Sequence, residues 1–219
     1  MQRSKDMKQI PLMSLNRFEA FSDGVFAIAV TLLVLEIKAP DLSQATSSEA
    51  ITKLLQIFPH FLSYVTSFIV IGVIWINHHA LFHLLKRVDR TTLAINLLLL
   101  MCVAFIPYPT ALIGEFGALV PVVVFYGLSL AITGLVYNFL WFYVVQQYIV
   151  SEELINQKSV RKATIWSLSY PASYLVATGL AFVNTTVSIA LYILIPLFYL
   201  LPGVIDNQLS KLKDEPIIK

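Results

Sequence analysis

The sequence predicts an all-α membrane protein with six membrane-spanning helices in each subunit. The chain of 219 residues is 58% hydrophobic and only 13% charged, about half the charged share of an ordinary soluble domain. Apolar runs of about 20 residues, the length that crosses a bilayer, recur along the whole sequence. Lys and Arg concentrate in alternate loops between these runs, as is typical of loops on the cytoplasmic side of a membrane.

The predicted spans follow from the apolar runs and their interruptions. They cover residues 18–37, 59–83, 91–113, 118–149, 163–183 and 187–205. Span 1 ends before Pro40, because proline disfavours a helical conformation at the residue that precedes it. Pro59 opens span 2, since proline is tolerated in the first turn of a helix. Residues 53–58 are predicted to form a short interfacial helix just before it.

The positive charges predict the side of the membrane that each loop faces. With the N-terminus inside the cell, all but Lys38 and Lys53 of the 15 Lys and Arg residues fall in cytoplasmic segments. A count of five or seven spans breaks this alternation. We therefore expect a transmembrane domain at 17–205 between cytoplasmic tails at 1–16 and 206–219, in a cell membrane (the bacterial inner membrane if the source is bacterial).

The same pattern argues against several other classes of protein. The net charge of +2 is spread over short loops, so nucleic acid is not an expected partner. The lone Cys102 excludes an intrachain disulfide. No phosphate-binding loop, nucleophile elbow or zinc-protease motif is present, so we expect neither an enzyme nor a cofactor. The basic N-terminal residues followed by an apolar run resemble a secretory signal peptide. The run ends in LVLEIKAP, which lacks a clear cleavage site, so we expect no cleavage.

The segment RFEAFSDGVFAIAVTLLVL at 17–35 predicts a helix with two different faces. At about 100° per residue, Phe21, Gly24, Thr31, Leu32 and Leu35 all fall within roughly 60° of Ile28. We call the four residues Ile28, Thr31, Leu32 and Leu35 the stripe. Asp23 lies on nearly the opposite side. We hypothesise that the stripe lines a pore and that Asp23 fastens the helix to its neighbours, although periodicity alone leaves open that the stripe faces lipid or packed protein.

Antiparallel packing of spans 1 and 2 predicts a polar contact at their cytoplasmic ends. Ser22 and Asp23 lie there in span 1, and span 2 carries its own polar group at the same depth. That group is Trp75, Asn77, His78 and His79. An ionisable residue inside a membrane needs a partner, so we expect Asp23 to bond to His78 or His79, with Arg17 joining from the headgroup side.

Two alternatives for the histidines remain open at this point. His79 and His83 are four residues apart on one helix, which is a spacing compatible with a metal site. A proton relay is the second alternative, because histidine changes its charge near neutral pH. A structural hydrogen-bond network that braces spans 1 and 2 is the interpretation we favour.

Three motifs resemble those of a known family. R-F-x-x-F-S-D-G at 17–24, followed by AIAVTLLVLEI at 27–37, is similar to the first-helix signature of the lysosomal potassium channel transmembrane protein 175 and its bacterial relatives. W-x-N-H-H at 75–79 and F-I-P-Y-P-T at 105–110 resemble further motifs of that family. The resemblance extends over essentially the whole chain.

This resemblance implies a potassium-permeable channel in which span 1, rather than a carbonyl filter, lines a central pore. It maps the constriction onto Ile28, Leu32 and Leu35, with Thr31 adjoining. It maps a bracing network onto Arg17, Ser22, Asp23, Trp75, Asn77 and His78 or His79. It further implies a homotetramer in a lipid bilayer, with K⁺ as the permeant ion. The alternative function is a proton-coupled secondary transporter that uses Asp23 and the histidines of span 2.

Overall fold

The computed structural model describes residues 14–83, 85, 88–149 and 157–200. Within these residues the regular elements are all helical and no β-strand is present, as the sequence predicts. The α-helices are α1 (Leu15–Leu32), α2 (Ser47–Gln56), α3 (Phe58–Phe82), α4 (Arg90–Phe105), α5 (Pro107–Phe116), α6 (Val120–Val144), α7 (Gln157–Leu180) and α8 (Thr185–Leu200). A 3₁₀ turn, Leu33–Glu36, continues α1, and a π-helical turn, Val145–Ile149, continues α6.

Four helical stretches among the described residues are long and apolar enough to cross a membrane, and they correspond to predicted spans 1 to 4. They are Leu15–Glu36, Ser47–Phe82, Arg90–Phe116 and Val120–Gln147. Ser, Thr and Tyr residues lower the mean hydropathy of α7, and α8 is a shorter apolar helix of 16 residues. The count of six spans and the cytoplasmic location of both termini therefore stay predictions. Residues 1–13 and 201–219, which hold most of the two predicted tails, lie outside the described residues.

Helix α1 lies at the edge of the bundle with one face covered. At the centre, α6 contacts α4, α5, α7 and α8, whereas α1 packs on α3 and α4. The covered face of α1 carries Phe18, Phe26 and Ala29, and the 3₁₀ turn adds Leu33, all of them buried. Because lipid is as apolar as leucine, close packing rather than removal from water stabilises these contacts.

The predicted span 3 is divided at Ile106 into α4 and α5. Pro107 has no N–H group, so it cannot donate to the carbonyl of Val103 as a continuous α-helix requires. The N–H of Ile106 donates to that carbonyl instead, at 3.1 Å, in a tighter bond between residues three apart. The sequence predicts one helix over 91–113, and the missing proline donor explains why the structure contains two.

The helix that precedes α3 is longer than the predicted 53–58, because a capping box starts α2 earlier. The N–H of Thr46 donates to Oε2 of Glu49 at 2.8 Å, and the N–H of Glu49 donates to Oγ1 of Thr46 at 3.4 Å. In the loop before it, Ser43 donates both its N–H and its hydroxyl to Asp41. These bonds favour the charged carboxylate and lower the pKa of Asp41.

Candidate functional site

The stripe on α1 is not covered by the described residues of its own subunit. The side chains of Ile28, Leu32 and Leu35 are 61%, 43% and 70% exposed, and Thr31 is exposed as well. The face that packs on the bundle is formed by other residues of the same segment. These are Phe18, Ser22, Phe26, Ala29 and Leu33. The stripe is therefore available to face another subunit, an ion path or lipid.

The 3₁₀ turn at the end of α1 aligns two leucines of the stripe. The sequence predicts a continuous α-helix over 18–37, but the chain tightens at Leu33–Glu36. In a 3₁₀ helix, residues three apart eclipse one another. The tighter turn therefore brings positions 32 and 35 closer to one line along the helix axis than an ideal α-helix would.

The hydroxyl of Thr31 is tied to its own helix. Its Oγ1 atom lies 3.0 Å from the carbonyl oxygen of Ala27 and 2.9 Å from that of Ile28. The single hydroxyl proton is shared between these carbonyls, which leaves the lone pairs of Oγ1 as acceptors on the exposed face. An acceptor oxygen beside the apolar stripe is chemically suited to contact a cation.

An indole–carboxylate hydrogen bond joins α3 to α1. Nε1 of Trp75 donates to Oδ1 of Asp23 at 2.8 Å. The end of α3 lies beside the start of α1, where the rings of Phe82 and Phe18 are 4.9 Å apart. The Asp23 charge thereby gains a neutral donor on a neighbouring helix, and hydrogen bonds to charged groups are among the stronger ones in proteins.

A second connection runs through buried polar side chains from α3 through α4 to α1. The Nε2–H of His78 donates to Oδ1 of Asn96 at 2.8 Å, and Nδ2 of Asn96 donates to Oγ of Ser22 at 3.0 Å. The hydroxyl of Ser22 in turn donates to the carbonyl of Phe18 at 3.0 Å. All three polar side chains are at most 2% exposed, and each bond satisfies a group that would be costly to bury alone.

The other residues of the predicted network lie outside this chain of bonds. His79 stacks on Trp75 with ring centroids 5.6 Å apart, and its Nε2 lies 3.0 Å from Nε2 of His83. Asn77 donates to a carbonyl of its own helix at 2.8 Å. Arg17 is exposed, and its side chain has no hydrogen-bond or ion-pair partner among the described residues of the subunit.

The expected hydrogen bond between Asp23 and a histidine is not present in the described part of the chain. Trp75 bonds to Asp23 instead, because His78 is buried against Phe82 and turned toward Asn96. The metal alternative at His79 is not supported either. The described residues contain no group of three or more His, Cys, Asp or Glu side chains that could hold a metal ion.

Sequence reasoning missed Asn96, the residue that links His78 to Ser22. The available signal was a lone asparagine inside the apolar run LAINLLLL of span 3. A polar side chain at that depth needs a hydrogen-bond partner, which marks Asn96 as a candidate. The sequence does not reveal which neighbouring helix supplies the partner, because that depends on how α4 is rotated in the bundle.

Comparisons with known proteins identify the family of the chain. The family model described as endosomal/lysosomal potassium channel TMEM175 matches residues 17–107. A potassium channel of Chamaesiphon minutus is 39% identical over 193 residues, which is 84% of this chain and 93% of the relative. An endosomal/lysosomal proton channel TMEM175 of Bos taurus is 38% identical over 101 residues, covering 43% of this chain and 21% of the bovine protein.

A solved structure agrees with the fold as well. The crystal structure of a lysosomal potassium-selective channel TMEM175 homolog from Chamaesiphon minutus superposes with a TM-score of 0.76 at 35% identity. The match covers 85% of this chain and 96% of the other. Proteins of this family are ion channels rather than enzymes, in agreement with the sequence analysis. The chain therefore belongs to the TMEM175 potassium channel family and is a multi-pass membrane protein.

Proposed function

We propose that this chain is one subunit of a potassium-permeable channel whose pore is lined by α1. One observation carries the proposal: the apolar stripe stays open on a membrane helix of a chain that belongs to a potassium channel family. Ile28, Leu32 and Leu35 form the constriction, and Thr31 adjoins it. The bacterial relative is named a potassium channel, which favours this function over a proton-coupled secondary transporter.

The pore requires several copies of the chain, because one edge helix cannot enclose an ion path. Copies of α1 arranged around a symmetry axis would bring their stripes together, and the resemblance to bacterial relatives favours a homotetramer. The location of α1 at the edge of the bundle supports this arrangement. The channel domain at 17–205 spans the cell membrane six times, with cytoplasmic tails at 1–16 and 206–219.

The constriction acts as a hydrophobic gate at the ring of Ile28 side chains. An apolar constriction conducts only while it is wide enough to hold water, and it closes when the water leaves. An ion that passes loses part of its hydration, and apolar side chains do not replace it. Potassium is more weakly hydrated than sodium, so this step favours potassium. The acceptor lone pairs of Thr31 replace part of the lost hydration.

The polar residues at the start of α1 hold the stripe in its orientation. The Trp75–Asp23 bond and the His78–Asn96–Ser22 chain attach α1 to α3 and α4. His79 supports the Trp75 indole by stacking on it. We assign Arg17 a contact with a neighbouring subunit, because its side chain is exposed. Asn77 lies on the far side of α3, where its side chain donates to a carbonyl of its own helix.

Ion flux from liposomes that contain the purified protein tests this function. We expect potassium flux to exceed sodium flux in the unmodified protein. Ile28→Asn should raise flux and erode the discrimination against sodium, because an amide keeps the constriction wet. Ile165→Asn on α7 is the matched control, since Ile165 is 59% exposed and Ile28 is 61% exposed. Unchanged selectivity in Ile28→Asn, or no potassium flux in the unmodified protein, contradicts the proposal.

The same liposomes distinguish a channel from a carrier. A proton-coupled transporter predicts saturable flux that depends strongly on pH and that Asp23→Asn abolishes while the protein still folds and assembles. The channel proposal predicts instead that Asp23→Asn lowers the yield of assembled protein, because the charged acceptor of the Trp75 bond is lost.

A further inference from the structure

A small cavity lies among α3, α6, α7 and α8, on the far side of α3 from the Asp23 contact. Its volume is about 30 Å³, and residues of all four helices line it, among them Asn77, Asn138, Ser167 and Tyr170. By the same measure one water molecule needs about 10–15 Å³. The cavity is thus large enough for one or two water molecules and too small for an organic ligand.

Three side-chain oxygens of this cavity are buried without a hydrogen-bond partner among the described residues. Oδ1 of Asn138 and Oγ of Ser167 have no hydrogen bond within the described part of the chain, and their side chains are only 3% and 8% exposed. The hydroxyl of Tyr170, which lines the same cavity, is buried and also lacks a hydrogen bond. Unpaired buried polar groups are rare in native proteins, and a bound water or ion is one explanation for them.

Pro171 explains why Asn138 lies at this position. Proline has no N–H group, so the carbonyl of Ser167, four residues earlier in α7, loses its normal helical donor. Nδ2 of Asn138 on α6 donates to that carbonyl at 3.0 Å, and also to the carbonyl of Gly134 at 2.8 Å. The side chain of Asn138 therefore satisfies the backbone group that the proline leaves free.

This double donation fixes the orientation of the amide. Both hydrogens of Nδ2 are used, so a flip of the amide would place Oδ1 against two carbonyl oxygens, which repel it. Oδ1 of Asn138 consequently cannot obtain a donor by rotating. The described residues supply no donor to it, and the cavity beside Asn138 and Ser167 is where an additional donor fits.

We propose that this cavity binds one or two ordered water molecules, one of which donates to Oδ1 of Asn138 and hydrogen-bonds to Oγ of Ser167. A monovalent cation fits the site less well, because three neutral oxygens do not compensate for its dehydration. An empty cavity would leave polar groups unpaired at membrane depth, where neither lipid tails nor bulk water can hydrogen-bond to them. The bound water thus completes the α6–α7 contact at Pro171, and this inference does not depend on the proposed channel function.

A high-resolution structure of the full-length protein in lipid nanodiscs tests the proposal directly. We expect density for water within hydrogen-bond distance of Asn138 Oδ1 and Ser167 Oγ. Density of a desolvated cation at the same point, with shorter contacts to additional oxygens, overturns the proposal. Well-defined side chains around an empty cavity overturn it as well.

The sign of a stability change provides a second, independent test. If water is bound, Ser167→Ala removes one of its partners and lowers the thermal midpoint Tm, by about 2–4 °C for a chain of this size. If the cavity is dry, the same substitution deletes an unpaired buried hydroxyl and leaves Tm equal or higher. Ser173→Ala is the control, because Ser173 lies on the same helix and donates to the Ser169 carbonyl away from the cavity.

Replacing K⁺ and Na⁺ by choline distinguishes water from a cation. We expect the Tm difference between Ser167→Ala and the unmodified protein to be the same in both buffers. A difference that disappears in choline would assign the site to a cation and overturn the proposal. The unmodified protein serves as its own reference for any effect of K⁺ on other parts of the molecule.

Discussion

The indole N–H of Trp75 and the carboxylate of Asp23 form a 2.8 Å hydrogen bond between α3 and α1. Asp23 and Ile28 lie on nearly opposite sides of the same helix. A bond that holds Asp23 toward α3 therefore turns Ile28 away from the bundle, where it is 61% exposed. The orientation of the stripe depends on this contact and on the buried chain of bonds beside it.

Trp75→Phe should weaken the attachment of α1. The substitution keeps an aromatic ring next to His79 but removes the donor to Asp23. We expect a loss of about 1.5 kcal/mol, at the low end for a hydrogen bond to a charged group because the pair is partly exposed. Thermal unfolding of the purified protein measures this as a fall of a few degrees in Tm.

Trp166→Phe is the matched control for that measurement. Trp166 contacts the rings of Phe198 and Tyr199, but its indole makes no hydrogen bond among the described residues. The control should change Tm much less than Trp75→Phe. Equal effects of the two substitutions would mean that ring packing, rather than the Asp23 bond, accounts for the loss.

Asn96→Leu should destabilise the protein more than Trp75→Phe does. The change leaves both His78 and Ser22 buried without their Asn96 partner, and each unpaired group costs about 1–3 kcal/mol. In the double variant Asn96→Leu/His78→Phe, one of these unpaired groups is gone. Denaturant unfolding should therefore show that the double variant is more stable than the sum of the single effects. Simple additivity would contradict the bond between His78 and Asn96.

Leu35→Ala should increase ion flux, because it shortens the outermost apolar side chain of the stripe. Val34 is the matched control: it is the preceding residue in the same 3₁₀ turn and is 50% exposed, whereas Leu35 is 70% exposed. The side chain of Val34 points in a different direction from that of Leu35, so Val34→Ala should leave flux unchanged. Liposome flux assays compare the two variants at equal amounts of incorporated protein. Identical flux in both would remove Leu35 from the constriction.

Gly127→Ala should disrupt the packing of α6 against α7 and α8. A Cβ atom at Gly127 would overlap both Thr178 Oγ1 and Tyr192 Oη, two groups that are hydrogen-bonded to each other at 3.0 Å. Overpacking of this kind costs about 1–3 kcal/mol. Gly179→Ala is the control, because a Cβ there meets nothing within 4 Å and alanine favours the helix. We expect Tm to fall for the first variant and to stay equal or rise for the second.

Much of the fold can be predicted from the sequence because apolar run length is a local property. The runs of spans 1 to 4 correspond to the four long apolar helical stretches of the structure. The division at Ile106 and the 3₁₀ turn after Leu32 were not predicted. Pro107 and Pro109 lie next to the division at Ile106, but prolines at these positions are also compatible with a continuous, bent helix.

The sequence predicted the membrane depth of the candidate site, but it did not predict which residues form hydrogen bonds there. Antiparallel spans bring Asp23 and Trp75 to one level of the membrane, and the structure joins them. The choice between Trp75 and the histidines as partners of Asp23 depends on helix rotation, which a residue pattern on one helix does not specify. Asn96 escaped prediction for the same reason, since its partners lie on two other helices.

By itself, the sequence determined that this is an all-α membrane protein with a two-faced first helix, because hydropathy and helical periodicity are set by neighbouring residues. Only the tertiary structure decided that the stripe is left uncovered, that Trp75 rather than a histidine donates to Asp23, and that Asn138 compensates for Pro171. Each of these depends on the rotation and spacing of separate helices, and hydrogen bonds form only when two atoms come within about 3 Å.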